Sequence, residues 1–130
     1  MATIHAELVE RLVTHCRAVL PNEGCGYLVG EAAGNVVDFA PITNAAASPT
    51  RFVLDPAEQL AAERTIEEAG RHVIGIAHSH PEGEASLSAT DLADAANYDP
   101  FEVFLHAVVS PRSGEVRCFR IVDGTAVAAD

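Results

Sequence analysis

Basic residues are scarce in this chain. Eight lysines and arginines stand against 19 aspartates and glutamates, for a formal charge of −11 over 130 residues. So negative a surface excludes nucleic acid and anionic membranes as partners, because both require a cationic face. Cysteine is sparse as well. Cys16, Cys25 and Cys118 are odd in number and form no C-x-x-C pair, which excludes a disulfide framework and fits a reducing compartment, the cytoplasm. Long apolar runs are missing too: Glu7, Glu10 and Arg11 interrupt the N-terminal apolar pattern, so it reads as neither signal peptide nor membrane span. No repeat, linker or polar tract divides the chain, which excludes disorder and leaves one domain, 1–130.

What is present alternates between helical and strand patterns. Leu8, Val9, Leu12, Val13, Cys16, Val19 and Leu20 recur at helical spacing up to Pro21. Gly24–Gly30 reads as a strand, turning at Gly34-Asn35 into a second strand over Val36–Phe39. A loop of small residues, Pro41–Pro49, leads to an extended segment at Arg51–Leu54. Asp55-Pro56 starts a helix that turns Leu60 and Ile66 inward and stops at Gly70. A strand over Val73–Ala77, a helix over Ser88–Asn97, strands over Val103–Val109 and Val116–Val122, and a short last strand complete the chain. The pattern predicts α/β: a mixed sheet of about six strands packed with about three helices. Tyr27 and the five phenylalanines read as core.

One stretch carries metal and proton chemistry. His78 and His80 lie two apart at the end of the Val73–Ala77 run, so a strand presents both imidazoles on one face with Ser79 turned away. After a seven-residue loop, Ser88-Ala89-Thr90-Asp91 reads as a capping box, with Leu87 and Leu92 at the staple positions. Each half is ordinary alone, since strand-end histidines often only hydrogen-bond and capping boxes are common. Together they place two imidazoles beside a carboxylate held on a helix start. Two histidines and one carboxylate make the three-residue set of a catalytic zinc. Such a centre needs a proton acceptor, and Glu23, preceding the Gly24–Gly30 strand, is the candidate.

The pattern Glu23…His78-Ser79-His80-Pro81…Ser88-x-x-Asp91 resembles the JAMM (MPN-plus) metallopeptidase family at every motif position. Pro21-Asn22-Glu23-Gly24-Cys25-Gly26 resembles the opening of its small bacterial members. Asn44, Ser48-Pro49-Thr50, Asp55–Leu60 and Arg120–Gly124 resemble stand-alone members that release cysteine from a sulfur-carrier protein. The resemblance implies one Zn²⁺ held by His78, His80 and Asp91, with Glu23 as general base and Ser88 as oxyanion donor. It also implies a partner, a ubiquitin-like β-grasp sulfur carrier ending in Gly-Gly, cleaved at the amide after the last glycine. Such a tail adds as a strand to an open sheet edge, expected here near Arg51–Leu54 and the loop after His80.

Other readings meet missing residues. Zinc nucleoside deaminases need H-x-E with a later P-C-x-x-C, and no such cysteine pair occurs. A cysteine hydrolase would use Cys25, which on a glycine-flanked apolar strand reads as a small buried residue. A non-catalytic scaffold of the same fold, or a deubiquitinase-like peptidase on another ubiquitin-like substrate, are the remaining alternatives. His5, His15, His72 and His106 read as surface or satisfied core positions.

Overall fold

The computed structural model describes residues 4–31 and 34–130. Among these, the elements run α1 (Ala6–Ala18), β1 (Cys25–Gly30), β2 (Val36–Ile42), α2 (Pro56–Glu68), β3 (His72–Ser79), α3 (Ala89–Tyr98), β4 (Leu105–Ser110), β5 (Glu115–Val122) and β6 (Thr125–Ala128). The strands form one sheet in the order β2-β1-β3-β4-β5-β6. Every pair is antiparallel except β3–β4. That parallel pair needs a crossover, and α3 supplies it. The architecture is the mixed α/β sheet that the patterning predicts.

Period-two alternation sends the two faces of the sheet to different helices. Leu8, Leu12, Val13 and Cys16, spaced along one stripe of α1, pack against Leu28, Ala77, Leu105, Ala107 and Val109. On the opposite face Tyr27, Val29 and Ile42 meet Ile66 of α2. Residues directly opposite in a ladder share a face. Cys25 pairs with His78, Tyr27 with Ile76, and Ile76 with His106, so both histidines lie on the α2 face. Gly75 permits the close β3–β4 approach, since a Cβ there would collide with the Leu105 carbonyl.

Three expectations are corrected. Leu60 is half exposed rather than inward. At 100° per residue it lies a third of a turn from Ile66, and Gln59 and Glu63 face the sheet instead, both bonded to the Tyr27 hydroxyl. Phe101 is not core but 84% exposed, on the turn before β4. Arg51–Leu54 is not a sheet strand: only Leu54 makes a bridge, to Asn44, and the sheet edges are β2 and β6.

A buried polar pair, invisible in the spacing, locks α3 to β4. Asp99 Oδ2 bonds His106 Nε2 at 2.9 Å, while its Oδ1 accepts from the Val103 and Phe104 amides at 2.8 and 3.2 Å. Both side chains are fully buried, and burial pushes the His106 pKa down. The imidazole is thus neutral at neutral pH and donates to the carboxylate. Asp99→Ala strands three donors and is expected to cost about 3 kcal/mol in urea unfolding. Asp99→Asn should recover part of that loss, because its amide oxygen still accepts from the two backbone amides.

Candidate metal centre

β3 ends by delivering His78 to the α2 face, and the chain continues extended for one more residue, with His80 N donating to Val109 O at 2.9 Å. The two imidazoles therefore meet edge to face, ring centres 5.1 Å apart. After the loop, Ser88 caps α3 as the spacing predicts. Its Oγ accepts from Asp91 N at 3.0 Å, and Asp91 Oδ2 accepts from Ser88 N at 2.9 Å. The capping box thereby aims the Asp91 carboxylate back at the histidines.

Three atoms converge. His78 Nε2, His80 Nε2 and Asp91 Oδ2 are separated by 3.3, 3.2 and 2.9 Å. Around a tetrahedral ion held at about 2.0–2.1 Å, ligand atoms stand about 3.3 Å apart. The triangle has that size, so the donor set fits a zinc-like divalent cation. His80 Nδ1 donates to Glu84 O at 2.9 Å, which fixes the tautomer with the Nε2 lone pair facing the centre. His78 lies in the wall, fully buried, stacked on Phe52 at 4.8 Å.

The electrostatics favour a cation here. Burial would raise the Asp91 pKa, but hydrogen bonds from His78 and His80 outweigh it and hold the carboxyl well below its usual range. The bond to Asp91 raises the His80 pKa. The carboxylate thus draws a proton onto His80, and a divalent cation at the same point would take that proton's place.

Glu23 occupies the loop between α1 and β1 and is 2% exposed, with Oε1 buried and unpartnered. Burial pushes its pKa up to about 7, partly offset by the charge of His80 and reinforced by Asp91 and Asp94. A carboxylate that the surface reading would leave solvated is instead buried and within electrostatic reach of the triangle. Ser88 is exposed at the rim. Its cap uses an oxygen lone pair, so the hydroxyl proton stays free to donate. Capping and oxyanion donation are compatible.

Residues 5–122 match the family of prokaryotic homologs of the JAB domain. The chain belongs to that family. The JAB domain is 40% identical over 122 residues to the CysO-cysteine peptidase of Mycobacterium tuberculosis, covering 93% of this chain and 83% of that one. It is 31% identical, also over 122 residues, to a probable TtuB-protein conjugate cleaving protease of Thermus thermophilus, covering 93% and 76%. A solution structure of a Desulfitobacterium hafniense protein superposes with a TM-score of 0.87 at 30% identity, covering 100% of this chain and 90% of that one.

Sequence reasoning missed the residues that hold this JAB domain's centre in place. Ser79, read only as turned away, is fully buried; its Oγ accepts from Gly24 N at 2.8 Å and its amide donates to Gly24 O at 3.1 Å. It ties the segment after Glu23 to the histidine strand, and only its place between two histidines hinted at a role. Phe52 has no spacing signal, because the loop that brings it to His78 is irregular. Arg51 beside it pairs with Asp94 on α3 at 2.9 and 3.2 Å. Together with Leu54, Ile76 and Tyr98 these residues line a cleft of about 260 Å³ next to the His78 wall. Cys25 is buried across the ladder from His78, its thiol donating to Ile42 O and pushed up to about 12 by burial. A thiol so protonated is no nucleophile.

Proposed function

We propose that the chain is a cytoplasmic zinc peptidase, one Zn²⁺ per chain, that hydrolyses the amide after the C-terminal Gly-Gly of a ubiquitin-like sulfur carrier and releases cysteine. The observation that carries this reading is the triangle of His78, His80 and Asp91, sized for a tetrahedral ion, with a buried carboxylate beside it. Bound there, the cation would supply Lewis-acid activation of water and of the scissile carbonyl. His80 is kept in the ligating tautomer by Glu84, and Asp91 is oriented by the Ser88 amide. Glu23 takes the proton of the attacking water and passes it to the leaving amine as the C–O bond forms and the C–N bond breaks. The free hydroxyl of Ser88 donates to the oxygen that gains charge. The products are a carrier carboxylate and a free amine.

The CysO-cysteine peptidase relative supports cysteine as the leaving group. The Thermus relative favours a second reading in which the amine belongs to a conjugated protein. The free, buried Cys16, Cys25 and Cys118 support a reducing compartment. One edge of Arg51–Leu54, the side facing Asn44, is closed from within the chain, so an added tail strand would have to use the opposite edge. Val53 N and Arg51 O bond the Asn44 side chain, and Val53 O accepts from Ala45 N.

Incubating the protein with carriers bearing C-terminal cysteine or a lysine-linked protein, followed by intact mass spectrometry, separates the two readings. Loss of cysteine alone supports the first. Changing the carrier's final glycine to valine is expected to abolish cleavage with the carrier still folded, since only glycine lets the backbone approach so closely. Cleavage of unrelated peptides with all Gly-Gly adducts left intact would remove the carrier assignment.

A further inference from the structure

Asn44 follows β2, outside the groups placed at the metal centre, yet both ends of its amide are fully used. Oδ1 accepts from the amides of Ala46 and Val53, each at 3.0 Å. Nδ2 donates to Arg51 O at 3.0 Å and to Glu23 O at 3.2 Å, with Ser48 O at 3.4 Å. Two lone pairs and two protons are thereby engaged. Ser48 O also accepts from Glu23 N at 2.8 Å. The peptide groups on both sides of Glu23 thus return to one amide, one directly and one through Ser48.

Glu23 sits in neither helix nor strand, so no ladder fixes its backbone. Beyond it Ser79 holds Gly24, as described above. On the other side the Asn22 amide donates to Val19 O at 3.0 Å, and Glu23 itself is held by the loop closed by Asn44. The same loop carries Phe52 onto His78 and Arg51 onto Asp94. We propose that Asn44 is the positioning residue for Glu23, its side-chain amide holding the backbone that aims the carboxylate at the metal centre. This rests on Glu23 being the base.

A double-mutant cycle tests it. Asn44→Ala is expected to lower kcat by about 10- to 100-fold, the usual cost of a lost supporting hydrogen bond or a misplacement near 1 Å. KM and zinc content should hold, and the Glu23 amide should exchange with solvent faster while the β3 amides stay protected. In a Glu23→Gln background the same change should cost less than about twofold, because its effect passes through the missing base. An equal loss in both backgrounds, or a loss traced to KM or zinc, overturns the proposal. A fully active Glu23→Gln would instead remove the base assignment. If Asn44→Ala does not fold, Asn44→Ser, whose hydroxyl can still close the turn at Ala46, is read by the same cycle. Failure of both to fold would make Asn44 purely structural and also overturn it.

Discussion

Asp91→Ala is expected to yield protein without zinc and to lower hydrolysis on the order of 10³-fold or more, since a Lewis acid contributes several kcal/mol to such a reaction. Asp91 Oδ2 stands 2.9 and 3.2 Å from the two imidazole nitrogens, so its removal opens one corner of the triangle and leaves no anionic donor. The variant also loses half of the capping box, because Ser88 N donates to the same oxygen. Helix α3 should weaken by about 1 kcal/mol on that account alone. His80→Ala separates the two effects: the capping box stays and the metal site does not. Elemental analysis should find both variants without zinc, and only Asp91→Ala should melt lower than chelator-treated wild type. Added zinc restores the chelated wild type and neither variant. Full zinc in both variants would rule out this ligand set. Cys25→Ser, by contrast, should keep most of the activity and its sensitivity to chelators.

The residues of the triangle were legible because each lies on regular structure or, for His80, one residue beyond it. Period two puts His78 and His80 on one face, and a capping box puts Asp91 on the first turn of α3, so local rules alone bring three donors together. The mixed six-stranded sheet and the β1–β2 hairpin followed from patterning in the same way. What was not legible depends on loops. Asn44, Ser48 and Phe52 act through a segment, 44–54, whose path is set by hydrogen bonds between residues at irregular separations. No periodicity announces such contacts. Phe101 shows the converse, since apolar character says nothing about burial where a turn before β4 points the ring outward. The Asp99–His106 pair was hidden because it joins α3 to β4 across a turn that neither element's pattern describes.

Glu23→Gln is expected to keep the fold and the zinc while hydrolysis falls by roughly 10²-fold or more, the usual share of a positioned base. The substitution preserves shape and removes only the ability to accept a proton, so a loss in rate at full metal occupancy isolates that step. The pH profile gives a second readout. Burial lifts the Glu23 pKa to about 7. A group with a raised pKa is protonated below that value, and a protonated carboxyl cannot act as base. The wild-type kcat/KM should therefore drop tenfold per pH unit on the acid side. A bound divalent cation favours the carboxylate form, so that acid limb should begin at or below pH 7 in the zinc-loaded protein. The residual activity of Glu23→Gln should show no such limb, because the group that titrates is gone. A Gln variant working at near wild-type rate would place the base elsewhere. An acid limb that persists unchanged in the variant would assign the titration to another group, even if the rate is low.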